Sequence, residues 1–315
     1  MTLDQLRVFV AVAERQHVTR AAEALHLAQS AASASIAALE ARHGTKLFHR
    51  IGRHIELTQA GALFLGEARA LLARAEAAER MLCELGSLKR GILAVQASQT
   101  IANYWLPRHL VAFRRAYPAI EIRLSVGNTA QVAQAVREGD AELGFVEGLV
   151  DDPALTSRPV ARDQLVVVVG QTHPWAGGGA VTPGQLTAGE WVLREPGSGT
   201  RSMFEAALLR FGIVPAALRV VLELSSNEAV RAAVEAGMGA TAISASVAAP
   251  SLEAGLLHQV ALTLPERNFS VIRHTGRYQS RAADALLAVV GGSFHASDAG
   301  GSNGDRKGQS IAAAD

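Results

Sequence analysis

Residues 19–58 constrain this chain more than any other stretch. Thr19-Arg-Ala-Ala-Glu-Ala-Leu-His-Leu-Ala-Gln29 has the spacing of a short helix, and Ser30-Ala-Ala-Ser33-Ala-Ser35-Ile-Ala-Ala-Leu-Glu40 that of a second. Ala28-Gln29-Ser30 makes the tight turn between them, and small residues let the two helices cross closely. Thr19 reads as an N-cap with Ala22 and Leu25 facing inward. Ala32, Ile36 and Leu39 form the buried stripe of the second helix, and Gly44 ends it. Leu3, Leu6, Phe9, Val10 and Ala13 predict a helix ahead of the pair. Lys46 to Leu57 predicts a hairpin behind it, turning at Gly52 with Arg50 and Arg53 near the tip. Three helices and a wing are the outline of a winged helix-turn-helix, a reader of duplex DNA.

In that geometry the front of the second helix of the pair enters the major groove. It offers Gln29, Ser30, Ser33 and Ser35. Gln can pair with adenine through two hydrogen bonds, and Ser can donate or accept. The serines have a plainer use, capping the helix and facing water. Thr19 and Arg20 at the start of the preceding helix join the DNA-contacting set, and Arg50 and Arg53 would meet phosphate or the minor groove. Residues 1–58 carry seven Lys/Arg against five Asp/Glu and five of the ten histidines, a mild basic bias. No Arg stands at the front of the reading helix, so shape and phosphate contacts carry much of the expected selectivity.

A long helix is predicted next, capped by Thr58, with Leu63, Leu65, Leu71, Leu72, Met81, Leu82 and Leu85 along it. Such a helix needs a partner for its apolar stripe, and a second copy of the chain is the simplest one. Cys83, the single cysteine, is a small filler in that seam and leaves no route to an intrachain disulfide or a Cys-rich zinc site. The start, Met1-Thr-Leu-Asp4-Gln, lacks a basic segment followed by an apolar run, and no stretch is long and apolar enough to span a bilayer. A cytoplasmic protein with no membrane partner is expected.

The amino-terminal pattern resembles the LysR-type transcriptional regulators. The residues that carry the resemblance are Phe9-Val-Ala-Val-Ala13, Ala21-Ala22-Glu-Ala-Leu25, Gln29-Ser-Ala-Ala-Ser33, Ile36-Ala-Ala-Leu39-Glu40, Leu47-Phe48 and Leu57-Thr58-Gln-Ala-Gly61. Ala28 and Ser30 stand where many members have Ser and Pro, and Ala34 where many have Arg, so base contacts do not carry over directly. The similarity extends to about residue 290. It implies a DNA-binding domain at 1–58, a dimerisation helix at 59–88 and an effector domain at 91–294 like type 2 periplasmic binding proteins. Lobe I would comprise 91–161 and 268–294, and lobe II 162–267. The resemblance further implies a homotetramer that bends promoter DNA and contacts RNA polymerase.

From residue 91 strands and helices alternate, the signature of an α/β domain. The expected units are a strand at Gly91–Val95, a helix over Ile101–Tyr117 kinked or restarted at Pro107, and a strand at Ile120–Val126. A helix at Thr129–Glu138 and strands at Glu142–Val146 and Leu165–Val169 follow. Beyond them lie Trp191–Leu193, a helix at Arg201–Phe211, Arg219–Leu224, a helix at Asn227–Ala236, Ala240–Ile243, Phe269–His274 and a helix at Ser280–Val290. The Gly-, Ser- and Asp-rich segment 295–315 is expected to be disordered.

In open α/β sheets, ligands sit where strand ends meet helix starts. Four such corners carry small polar groups: Ser98-Gln99-Thr100, Gly127-Asn128-Thr129, Pro196 to Arg201 with Ser198 and Thr200, and Ser225-Ser226-Asn227. Helix N-terminal amides and hydroxyls aimed at one point suit a small anionic effector, with Arg201 completing the charge balance. Each residue could instead cap its own helix. Glu147 ends a strand on the same side. It could bind a cation, latch the lobes by pairing with a basic residue, or be solvated. Ala97 to Ile101, Gly127-Asn-Thr129 and Gly144-Phe-Val-Glu147-Gly resemble the sulfur-assimilation and sulfite-responsive branch of the family, which implies a small oxyanion.

A catalytic role is not expected. Gly197-Ser198-Gly199 lacks nucleophile-elbow spacing and the lysine of a phosphate loop, and no paired histidines stand at ligand spacing. No cofactor or metal is expected. A solute-binding or enzymatic α/β protein without a DNA role is the alternative, and the head at 19–58 argues against it.

Overall fold

The structure, a computed structural model, describes residues 1–51, 54–84 and 91–300, without the side chains of residues 50, 51, 54, 77, 80–84 and 292–300. The head comprises α1 (Leu3–Arg15), α2 (Val18–Ala24), α3 (Gln29–His43) and an antiparallel hairpin of β1 (Phe48–Ile51) and β2 (His54–Leu57). Leu6, Phe9 and Val12 of α1 are buried, and the Phe9 ring lies 5.4 Å from Phe48 and 5.0 Å from Phe64 between centroids. Two boundaries differ from expectation. Gln16 takes a left-handed conformation (φ 49°) and ends α1 early enough for His17, not Thr19, to cap α2; His17 Nδ1 accepts the Arg20 amide at 3.4 Å. The turn falls at 25–28, through His26 at φ 55°, so Gln29 and Ser30 are already in the first turn of α3. Gly44 does end α3 in the left-handed region, at φ 62°.

One buried carboxylate ties the wing to the reading helix. Glu40 of α3 accepts from Lys46 Nζ at 2.6 Å and from the amides of Leu47 and Phe48 at 2.9 and 3.2 Å. Thr58 then donates to the Lys46 carbonyl at 2.7 Å and caps α4 (Gln59–Glu84) by accepting the Gly61 amide at 2.9 Å. The 26 residues of α4 span about 39 Å.

The sensor region contains β3 (Gly91–Ser98), a π-helical turn (Ile101–Trp105), α5 (Leu106–Ala116), β4 (Ile120–Gly127), α6 (Thr129–Glu138), β5 (Leu143–Val146) and β6 (Leu155–Gly170). There follow α7 (Pro183–Ala188), β7 (Glu190–Arg194), α8 (Gly199–Arg210), β8 (Arg219–Leu224), α9 (Asn227–Glu235), β9 (Ala240–Ser244), α10 (Ala245–Glu253), β10 (Leu257–Gln259), β11 (Glu266–His274) and α11 (Arg281–Gly300). The strands hydrogen-bond in the order β4-β3-β5-β11-β6-β9-β7-β8, with β10 also on β6. The long strands β6 and β11 run antiparallel through the middle, from Gln164↔Glu266 to Leu155↔His274. On the side of β3, β4 and β5, the core gathers Phe113, Phe145, Phe269 and Leu286. On the side of β7, β8 and β9, one core packs Trp191, Phe204 and Leu208, and another packs Val168, Val230 and Ile243. The two parts therefore share a sheet path while keeping separate cores.

Two expectations need correction, and a third is narrowed to one of its alternatives. β6 begins ten residues before Leu165, because its first part is an exposed, charge-bearing ladder with β11 rather than an apolar run. Pro107 restarts the helix rather than bending it: it sits in the first turn of α5, where a missing amide costs nothing. The final helix continues past Val290 to Gly300, with no proline to stop it, so it enters the segment expected to be disordered. Arg53, with Gly52, and residues 85–90 and 301–315 lie outside the described residues. No described helix is long and apolar enough to cross a membrane.

Burial alone would raise the Glu40 carboxyl, but Lys46 and the two amides outweigh it and hold it below the ordinary 4.5. A depressed folded value contributes stability above the unfolded value and loses it as pH falls through the folded one. Glu40→Gln is expected to cost the head about 1–3 kcal/mol at neutral pH. It should also flatten the loss of stability below pH 4.5. Thermal unfolding across pH checks both; equal acid sensitivity in wild type and variant would contradict the tie.

Candidate functional site

The sensor cleft is built around a carboxylate. Glu147 leaves the end of β5 and is 4 % exposed. It accepts hydrogen bonds from Ser98 Oγ, from Thr100 Oγ1 at 3.4 Å and from Thr200 Oγ1 at 3.4 Å. The first two come from the β3 side, while Thr200 comes from the start of α8 on the opposite side. Of the three uses left open by the sequence, Glu147 latches the two halves, but through hydroxyls rather than by pairing with a basic residue.

The buried cation that reaches the Glu147 latch through Thr200 is Arg267, not Arg201. Arg267 opens β11 opposite Asp163 of β6, and its Nε meets Asp163 Oδ2 at 2.7 Å. Ser244 Oγ donates to the other Asp163 oxygen at 2.7 Å. Arg267 Nη1 reaches Thr200 Oγ1 at 3.2 Å, completing the path Asp163–Arg267–Thr200–Glu147. Arg201 turns outward instead, held by Glu205 at 2.8 Å and Glu223 at 2.5 Å, because both carboxylates line its own surface face. Among the described residues no cation lies within ion-pair distance of Glu147.

The remaining contacts across the cleft are equally polar. Asn227 Nδ2 donates to Thr100 Oγ1 at 3.0 Å and its Oδ1 accepts from Arg194 at 2.5 Å. Arg194 also grips Glu195 through Nε at 2.8 Å and Nη2 at 3.0 Å. Burial pushes the Glu195 carboxyl up, but hydrogen bonds from Arg194 and Asn128 outweigh it and hold the group below its ordinary value. Asn128 caps α6 by accepting the Gln131 amide at 3.0 Å and reaches across to Glu195 at 3.0 Å. Gln99 spans to the Ser225 carbonyl at 2.8 Å and the Asn227 amide at 3.0 Å. The Ser225 side chain is exposed, so this corner contributes Asn227 in its place. Ser198 is buried and caps α8 by accepting the Arg201 amide at 3.5 Å, the plainer of its two expected uses. Thr129 is buried against Gly199, and its Oγ1 finds no hydrogen-bond partner.

Close backbone approach explains two glycines. A Cβ on Gly199 would lie 2.5 Å from Thr129 Oγ1 and 2.7 Å from the Gly148 amide. A Cβ on Gly148 would lie 2.9 Å from the Gly199 Cα. The halves meet there backbone to backbone, with the Thr129 side chain alongside.

In the head, Thr19, Arg20, Gln29 and Ser30 are exposed, while Ser33 and Ser35 are half-buried. Gln29 Nε2 donates to Ser33 Oγ at 3.1 Å along one face of α3. Ser35 lies apart from that face, since two residues turn a helix by about 200°. Arg50 belongs to β1. Sequence reasoning missed Arg267, Asp163, Arg194 and Glu195 as cleft residues. The sequence held a partial signal: Asp163 just before the apolar run Leu165–Val169 and Arg194 at the end of β7 are charges that require partners if buried.

A winged helix-turn-helix head joined by a long helix to a polar cleft between two α/β halves is the layout of a ligand-responsive transcription regulator. Residues 3–62 match the model described as bacterial regulatory helix-turn-helix protein, lysR family, and residues 86–294 match the LysR substrate binding domain. The chain belongs to the LysR family of DNA-binding transcriptional regulators. It is 38 % identical over 289 residues to the uncharacterized HTH-type transcriptional regulator YeiE of Escherichia coli (strain K12), covering 91 % of this chain and 96 % of that one. It is 33 % identical over 287 residues to a probable RuBisCO transcriptional regulator of Cyanophora paradoxa, covering 90 % and 89 %. Full-length CbnR complexed with its target DNA superposes with a TM-score of 0.64 at 26 % identity, over 92 % of this chain and 99 % of that chain. The regulatory domain of Synechocystis PCC6803 CcmR in complex with 2-PG gives 0.59 at 27 % identity, over 65 % and 98 %.

Asp163→Ala would leave the Arg267 guanidinium buried without its carboxylate. The expected cost is ~3–5 kcal/mol, and replacing both residues by apolar ones should cost less than either single change. Denaturant unfolding of the sensor transition checks this order; a neutral single variant would show that the pair is not buried as described.

Proposed function

We propose that this regulator senses a small anion, and that the anion takes the place now held by the Glu147 carboxylate. The observation that carries this reading is the convergence of Ser98, Thr100 and Thr200 on that carboxylate, with Arg267 one hydrogen bond behind. Hydroxyl donors and helix N-termini around two carboxylate oxygens form an oxyanion cradle, and here the protein's own side chain fills it. An incoming anion cannot share the cradle with Glu147, because two like charges in one buried site repel. Glu147 therefore leaves as the anion enters, and with it goes the Thr200–Glu147 tie between the halves. The likeness to the sulfite-responsive branch narrows the anion to a small sulfur oxyanion, and the 2-PG bound to the CcmR domain is another small ligand held by a similar fold. Ser98, Gln99, Thr100, Asn128, Thr129, Ser198 and Thr200 form its surroundings, with Asn227 and Arg267 in the places first given to Ser225 and Arg201.

The head reads double-stranded promoter DNA through Gln29, Ser30 and Ser33 of α3, with Thr19, Arg20, Arg50 and Arg53 on the backbone. The protein acts by binding rather than by turnover, in the cytoplasm. It forms dimers through α4, where Leu63 and Leu71 are exposed, and tetramers through the sensor edges. Strands β4 and β8 end the sheet path, and Leu124, Val126, Val220, Val221 and Leu222 are exposed on them. Unpaired strand edges carrying apolar residues favour pairing with another copy. RNA polymerase is the further partner of the assembled complex.

Thermal-shift titration of the chain with sulfite, sulfate, phosphate and small carboxylates tests the anion reading. One small oxyanion should raise the unfolding temperature, by ~2.7 kcal/mol of stabilisation at a hundredfold excess over Kd. Glu147→Gln should bind that anion about tenfold more tightly, since a neutral side chain competes less. No shift with any anion, or weaker binding by Glu147→Gln, contradicts the reading.

On DNA, Gln29→Ala should lose ~1–3 kcal/mol of discrimination at one base pair, and Arg20→Ala should weaken all sequences alike and reduce the salt slope by ~1. Anisotropy titrations over a salt series separate the two; uniform loss with Gln29→Ala would contradict base reading.

A further inference from the structure

Helix α6 has one end in the cleft and the other against the head. At its start Asn128 reaches Glu195 on the opposite side of the cleft, and the Ala130 amide donates to the Gly197 carbonyl at 3.2 Å. At its end Glu138 accepts from Arg69 Nη1 of α4 at 2.9 Å, and Arg69 Nη2 reaches Glu14 of α1 at 3.0 Å. One guanidinium thus joins the sensor helix to the first helix of the DNA-binding head.

The surroundings make this a joint rather than a solid interface. The C-cap of α6, Gly139, packs on α4 so closely that a Cβ there would lie 2.3 Å from Ala73 Cβ. Arg277 holds the last carbonyls of α6, Val136 and Arg137, at 2.7 Å each, so this end is anchored to the segment after β11. Beside Arg69, however, head and sensor enclose a cavity of about 320 Å³ lined by Val10, Glu14, Leu72, Glu76 and Asp140. Arg69 Nε is buried there without a hydrogen-bond acceptor. The guanidinium has room and further carboxylates within its own pocket.

We propose that α6 and Arg69 carry the state of the cleft to the DNA-binding head within one chain, with Glu138 and Glu14 as the two contacts of the joint. This rests on the reading that the cleft is the regulatory site. Val132, Ala135 and Val136 are buried along α6, so it moves as a packed rod. With its far end held by Arg277 and Gly139, a tilt of about 10° starting at the cleft turns α6 about that end and re-aims the Glu138 carboxylate against Arg69, and a hydrogen bond weakens steeply with misalignment. Arg69 is a positioning residue: it acts on DNA only through α1.

Hydrogen exchange of the full chain tests the proposal without an effector. Asn128→Ala removes the cap of α6 and its tie to Glu195, and should raise exchange several-fold in 129–138, in 197–202 and in α1. In an Arg69→Gln background, and separately with Glu138→Gln, the rise in 129–138 should persist while the rise in α1 disappears; Arg69→Lys should restore part of it. The proposal is overturned if Asn128→Ala leaves 129–138 or α1 unchanged, or if α1 responds equally with the joint cut. An anion panel without any thermal shift would instead remove the effector reading and leave this result standing.

Discussion

The structure depends on a carboxylate buried between two halves of a domain. Glu147 has no cation beside it among the described residues and is held by three hydroxyls, two from one side and one from the other. A buried charge is tolerated only while its hydrogen bonds are complete. The closed arrangement is therefore self-consistent but conditional. Move either half, and Glu147 loses donors; bring another anion to the same donors, and Glu147 must leave. That conditionality is what a two-state sensor needs, since a ligand shifts an equilibrium only by its differential affinity for the two states. The Asp163–Arg267 pair differs in kind. It lies where β6 and β11 pass between the halves, joins Arg267 Nε and Nη2 to one Asp163 oxygen and Ser244 to the other, and behaves as a fixed pivot.

Much of this was legible in the residues, for local reasons. The pairing of Asn128 with Gly139 brackets α6, because a side-chain acceptor starts a helix and a left-handed glycine ends one. Gly44 and Thr58 mark their helix ends by the same logic. Glu147 stood out as a charge at the end of the apolar strand Leu143–Val146. What failed was pairing between distant segments. Arg201 sits beside the polar loop 196–200 in sequence, yet its neighbours Glu205 and Glu223 draw it to the surface. Arg267 is far from every corner in sequence and reaches Thr200 only because β11 pairs with β6 in a register that places it opposite Asp163. No local pattern encodes that register. Ser225 and Asn227 show the same limit at shorter range: two residues of offset decide which side chain faces inward.

The distribution of rigidity follows from the same contacts. The wing is fastened to α3 by Glu40 and to α4 by Thr58, groups bonded to backbone amides and carbonyls. The sensor meets the head through side-chain ion pairs around a cavity, which rearrange more readily than a packed core. Coupling free energies of ~1–3 kcal/mol are typical for such systems, the size of about one charge-assisted hydrogen bond. The regulator therefore does not require a large rearrangement. Exchanging a few polar contacts in the cleft and at the joint supplies free energy on that scale.

The central claim is that filling the cleft changes how the head holds DNA. Footprinting of the full-length protein on a promoter fragment, with and without the oxyanion that stabilises it, measures this directly. The account predicts a changed footprint length or cleavage pattern once the cleft is saturated. An identical footprint and identical affinity at saturation would contradict it.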